Sequence, residues 1–144
     1  MWQCMKEHYL KRIIIFPAVL LCIVILPGCV SVVKEKERLR DLDYIIVEEL
    51  DIPGELKDMI ENNKNSPFGL TYSDKGELYI VRGYGRREKT GYEAEAVSLY
   101  ETGQSVCFHT ALTGPQKGED TEEIPTFPYI VVKLKDLGKN VIFE

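Results

Sequence analysis

Alternating apolar and polar positions run through the second half of the chain. Between residues 78 and 83, Leu78, Ile80 and Arg82 fall on one face of an extended backbone and Tyr79, Val81 and Gly83 on the other, the two-residue period of a strand. Residues 92–100 repeat the pattern, with Tyr92, Ala94, Ala96, Ser98 and Tyr100 sharing a face opposite Glu93, Glu95, Val97 and Leu99. The small side chains of the first set leave room for a helix or opposed aromatics, which marks this strand as the centre of a sheet. A third run, residues 105–112, places Val106, Phe108 and Leu112 on one face and Cys107 and His109 on the other.

Shorter runs complete the picture. The β-branched and aromatic residues 43–50, DYIIVEEL, read as a first strand. Residues 68–73 read as a strand joined through Asp74-Lys75-Gly76, a tight hairpin signal, to an antiparallel partner over residues 77–84. Residues 129–134 and 141–143 supply the last two strands. The connection Gly85-Arg86-Arg87-Glu88-Lys89-Thr90-Gly91 is expected to be a solvated, positively charged hairpin loop. One segment has the helical period instead. Leu56, Met59 and Ile60 share a face, Asp51 is placed to accept from first-turn amides, Pro53 is tolerated there, and the polar run 62–67 forms the exit. The expected class is therefore α+β and β-rich: one mainly antiparallel sheet, or a small barrel or sandwich, with one short helix over about residues 54–64. The aromatic-proline step Phe127-Pro128 raises the chance of a cis bond, and the sequence leaves the isomer open.

The N-terminal pattern is different in kind. Residues 13–26, IIIFPAVLLCIVIL, form a continuous apolar run behind Lys6, Lys11 and Arg12, shorter than the roughly 20 residues that a spanning helix needs. This has the parts of a secretory signal. Leu26-Pro27-Gly28-Cys29 resembles a bacterial lipobox, with proline where Ala, Ser or Thr is usual. The expected division is a lipoprotein signal peptide over residues 1–28, lipidation at Cys29, a charged tether over 29–42 and a folded domain over 43–144; an uncleaved N-terminal anchor is the alternative. Either form is tethered at the cell membrane on its extracytoplasmic face, and two acyl chains suffice for stable anchoring.

Composition narrows the chemistry. The 144 residues carry a net charge of −5, from 18 Lys and Arg against 23 Asp and Glu, which disfavours nucleic acid as a partner. Once Cys4 and Cys22 leave with the signal and Cys29 takes the lipid, Cys107 is alone and no internal disulfide is available. Gly83-x-Gly85 precedes a strand rather than a helix, so it lacks the geometry of a phosphate loop. Cys107 and His109 stand two apart on one strand face, roughly 6.5–7 Å between Cα atoms, too far for a thiol–imidazole pair to form readily. Glu119, Asp120, Glu122 and Glu123 lack the spacing of a calcium loop. No catalytic residue, metal ligand or cofactor is expected, and the chain is read as no enzyme.

Four runs in order then carry a resemblance: LYIVRGYG at residues 78–85, TGYEAEAV at 90–97, LTGP at 112–115 and FPYIVVK at 127–133. They resemble the C-terminal domain of the protease complex subunit PrcB family, over roughly residues 44–144, with Thr90 and Phe127 departing from the usual glycine and tyrosine. The resemblance implies a secreted or lipid-anchored bacterial protein that associates with another protein, an extracytoplasmic protease, and stabilises it. Tyr84, Arg86, Arg87 and Tyr92 are the candidate partner-binding residues, since Tyr and Arg suit interface anchors. The alternative is a lipoprotein that binds a small ligand or cell-wall glycan.

Overall fold

The computed structural model describes residues 37–144; the expected signal, Cys29 and the first part of the tether lie outside the described residues. In chain order the elements are β1 (Arg38–Asp41), β2 (Ile45–Ile46), a 3-10 turn (Glu49–Asp51), α1 (Gly54–Asn63), β3 (Pro67–Asp74), β4 (Glu77–Tyr84), β5 (Glu93–Thr102), β6 (Ser105–Thr113), β7 (Tyr129–Lys135) and β8 (Asn140–Phe143). They form two four-stranded sheets, β1-β5-β6-β8 and β2-β7-β4-β3. Every pairing is antiparallel except β6 with β8. Of the expected architectures, the sandwich is the one formed.

The two layers meet over one apolar core. Leu78 and Ile80 of β4 with Ile130, Val132 and Leu134 of β7 face Leu99, Val106 and Phe108 of β5 and β6. The opposite face of the β4–β7 sheet is covered by α1, whose Leu56 and Ile60 pack on Val81 and Val131. β4 and β7 are thus apolar on both faces because each face has a layer to bury it, and each large aliphatic side chain so enclosed stabilises the fold by about 1.5–3 kcal/mol. The β3–β4 turn forms as its residues require: Lys75 and Gly76 both have positive φ, 49° and 82°, the geometry of a two-residue hairpin matched to strand twist.

Several expectations change at this level. Residues 43–50 do not make one strand. Only Ile45–Ile46 pairs, with Lys133 and Val132 of β7, before the chain tightens into the 3-10 turn. The end of the charged tether, by contrast, is structured: β1 pairs with β5 from Arg38 opposite Thr102 to Asp41 opposite Tyr100. Asp51 does not cap α1. The helix starts at Gly54 with Pro53 as N-cap and no side-chain cap, because Asp51 is engaged in the preceding turn. The Phe127–Pro128 bond is trans, as no cis peptide occurs among the described residues.

Two changes have larger consequences. Residues 85–91 are not a hairpin loop. β4 already has β3 and β7 on its two edges, so β5 joins the other sheet and the segment crosses between layers. Reciprocal backbone bonds between Arg87 and Thr126 at 2.8 and 2.9 Å, with Thr90 N–H donating to the Glu122 carbonyl at 3.0 Å, pin this crossing to the acidic loop. In β5, the register passes from Ala96 opposite Thr110 to Ser98 opposite His109. Val97 is left as a bulge, 56% exposed, and the faces exchange beyond it. Leu99 turns into the core beside Ala94 and Ala96, whereas Tyr100 turns out, its hydroxyl donating to Glu144 Oε2 at 2.9 Å. That carboxylate first, and Cys107 next, push the Tyr100 phenol up to about 12.

Candidate functional site

On one side of the sandwich, the edge strand of each sheet, β1 and β2, is too short to cover its neighbour. β1 pairs with β5 only as far as Tyr100, followed by one bond from Leu42 N–H to the Leu99 carbonyl at 2.9 Å. Its position is held by Glu101, which is buried and accepts from Arg40 Nε at 2.6 Å while pairing with Lys139 Nζ at 2.7 Å. Lys139 and Arg40 together hold the Glu101 carboxyl below the usual carboxylate range. Lys139 also donates to the Thr102 carbonyl at 2.8 Å, which fastens the β7–β8 turn to the β5–β6 hairpin.

The corresponding strand of the other sheet, β2, ends with Val47 N–H donating to the Val131 carbonyl at 2.9 Å. Past these points no described backbone group pairs with the outer edge of β5 over residues 93–98. Between the uncovered part of β5 and the start of β7 lies a groove of about 650 Å³. Ile46, Ala94, Ala96, Phe127 and Ile130 contribute apolar surface and Tyr92 an aromatic ring. Its charged lining among the described residues consists of Glu49, Glu93 and Glu95; no described Lys, Arg or His lines it. All three carboxylates are exposed, and the Thr113 hydroxyl donates to Glu95 Oε1 at 3.1 Å.

The candidate residues named from sequence fall at different depths. Tyr84 is half-buried, its hydroxyl 2.7 Å from Thr110 Oγ1 and its ring 5.7 Å from the Arg82 guanidinium. Arg86 is exposed and pairs with Glu88 at 3.2 Å. Arg87 links two of the others, donating through Nη2 to the Tyr84 carbonyl at 3.0 Å and lying 5.6 Å from the Tyr92 ring centroid. Tyr92 lines the groove. Three of the four are therefore connected through Arg87, and Arg86 stands apart.

Sequence reading did not single out Glu93, Glu95, Ile46 or Phe127 as site residues. The small residues Ala94 and Ala96 were the available signal, since the space they leave is the groove. What could not be read was that β1 and β2 would stop short on the same side.

The chemistry this arrangement offers is recognition. An uncovered strand edge presents backbone donors and acceptors to another extended chain, and carboxylates beside an apolar lining attract cationic side chains. Cys107 is fully buried and His109 exposed. Among the described residues no group of three His, Cys, Asp or Glu is placed to hold a metal ion.

Comparison with known proteins adds one finding. Residues 78–135 match the family model described as PrcB C-terminal, while no curated protein and no solved structure matches the chain. The matched stretch is narrower than the resemblance over 44–144. It runs from β4 to β7, the central pair of strands in each sheet, and it includes Tyr92 to Ala96 and Phe127 to Ile130 of the groove. The part of this chain that forms the centre of both sheets, residues 78–135, is thus similar to the PrcB C-terminal family.

Proposed function

We propose that the protein is a non-enzymatic accessory subunit, anchored through a lipid on Cys29 at the extracytoplasmic face of the cell membrane, whose PrcB-type domain binds and stabilises another protein, an extracytoplasmic protease. The observation that carries this reading is the family match over the four central strands. The uncovered edge of β5 beside an apolar groove supports it, because such an edge is suited to pairing with a second chain. The anchor rests on the signal-like residues 1–28 and the lipobox-like run ending at Cys29.

Crosslinking in cells followed by purification from detergent extract tests the partner. Recovery of an extracytoplasmic protease with the protein supports the reading, and recovery of the protein alone under crosslinked conditions removes it. Mass spectrometry of the mature N-terminus tests the anchor: a diacylglyceryl-modified Cys29 is expected, and a mature chain retaining residues 1–28 rejects it. A second reading, binding of a cell-wall glycan, is favoured by Tyr92 and Phe127 lining one groove. Retention on purified cell wall, abolished by Tyr92→Ala, would support that reading instead.

A further inference from the structure

We infer that the groove takes an extended segment of the partner in which apolar residues alternate with lysine or arginine, added as a strand along the outer edge of β5 at Glu93–Ala96. This rests on the reading of the chain as a subunit that binds another protein, and it specifies the chemistry of the partner's segment.

Three observations select this occupant. The outer edge of β5 has no described backbone partner over residues 93–98, so its donors and acceptors are available for a strand in register. Along such a strand alternate side chains point opposite ways. One set meets the apolar lining given by Ile46, Ala96 and Phe127, and the other meets a surface whose described lining charges are the carboxylates of Glu49, Glu93 and Glu95. That combination selects apolar residues alternating with cations.

The groove also lies far from where the chain enters the domain. β1 begins at Arg38 opposite Thr102, and the nine residue steps of β5 from Thr102 back to Glu93 span about 30 Å. The groove therefore lies at the opposite end of β5 from the point at which Arg38 enters the sheet. A second copy of this chain fits poorly. Pairing two β5 edges brings Glu93 and Glu95 of both copies together, while the described cations beside the groove, Arg87 and Lys64, lie over the rings of Tyr92 and Phe127 rather than among its lining residues, and facing like charges destabilise a strand pair.

The test uses the full chain in detergent with dye-labelled nine-residue peptides followed by fluorescence anisotropy. The probes are an alternating Lys/Val peptide, its Glu/Val counterpart, and two Lys/Val forms N-methylated on one or the other set of alternate residues. The Lys/Val peptide is expected to bind at least about tenfold tighter than the Glu/Val peptide. One N-methylated form is expected to lose binding and the other to keep it, because only alternate amides of an added strand face β5. Glu93→Lys/Glu95→Lys should weaken the Lys/Val peptide at least about tenfold, and Lys75→Glu, in the exposed β3–β4 turn outside the groove, should leave it unchanged.

No binding of the Lys/Val peptide at about 1 mM, equal binding of the Glu/Val peptide, or indifference to both N-methylated forms overturns the proposal. So does a concentration-dependent dimer that the Lys/Val peptide disperses. A protease that co-purifies undiminished with Glu93→Lys/Glu95→Lys also overturns it while leaving the accessory-subunit reading in place. If the peptides behave as expected and no protein is recovered from crosslinked cells, the groove chemistry stands and the accessory-subunit reading falls.

Discussion

At the β3–β8 edge of the sandwich, Phe143 lays its ring over Gly69, where a Cβ would come within 2.7 Å of it. The Arg82 guanidinium lies 5.8 Å from that ring and 5.7 Å from the ring of Tyr84. At the β1–β2 edge two short strands stop and leave about 650 Å³ open between the layers. Both edges set small residues against the interlayer space: Gly69 on one side, Ala94 and Ala96 on the other. The difference is whether the chain itself supplies a large group to fill that space. Where it does, the edge contributes to stability, and where it does not, the edge is available to another molecule.

Removing the filling group should give the largest effect. Phe143→Ala is expected to lower stability by about 2–4 kcal/mol, below the full cost for a buried phenylalanine because Phe143 is half-buried. A shift of the urea midpoint at unchanged slope measures it; a loss below about 1 kcal/mol would mean that the ring does not close this edge. Gly69→Ala attacks the same contact from the other strand and should cost about 1–3 kcal/mol through overpacking. The penalty should shrink to below about 0.5 kcal/mol in a Phe143→Ala background, since the two changes share one contact.

A third prediction concerns the clamp that sets where the open edge begins. The folded-state pKa of Glu101 lies below its ordinary value of 4.5, so the unfolded chain takes up its proton first as pH falls. The stability from this group is complete above that value and is lost as pH falls through the lowered folded pKa. Glu101→Gln should lower stability at neutral pH, leaving Arg40 and Lys139 without their carboxylate, and flatten the acid slope in a series of urea midpoints between about pH 2 and 6. An unchanged slope would show that Glu101 does not hold β1 on β5. The smallest effect belongs to the open edge itself. Ile46, 59% exposed, should tolerate Ile46→Thr within about 0.5 kcal/mol, and a larger loss would mean that the groove wall is part of the core.

Much of the fold was legible because its signals are local. β4, β6 and β7 follow the alternation of their residues, α1 buries the Leu56–Ile60 face, and the Lys75-Gly76 turn has the residues that its backbone needs. The errors arose where pairing overrode pattern. The alternation through residues 92–100 is unbroken as text, yet the Val97 bulge reverses the faces beyond it and puts Leu99 rather than Tyr100 toward the core. Gly85 to Gly91 has the composition of a hairpin loop, but a loop cannot join β4 to β5 as neighbours when both edges of β4 are taken. Arg38–Asp41 has no strand pattern of its own and is a strand because Glu101 and the β5 edge hold it there.

The candidate site divides in the same way. Tyr92 and the small faces of Ala94 and Ala96 could be read directly, and the four runs that resemble the PrcB C-terminal domain match the family found over residues 78–135. By itself the order of side chains determined a β-rich domain with one short helix and its hairpin turn, because period and turn chemistry act over a few neighbours. Only the tertiary structure decided that there are two layers, that one edge is closed by Phe143 over Gly69, and that β1 and β2 stop short on the same side. Those outcomes depend on which strands compete for which edges, a contest among residues as far apart as Arg40 and Lys139 that no local period records.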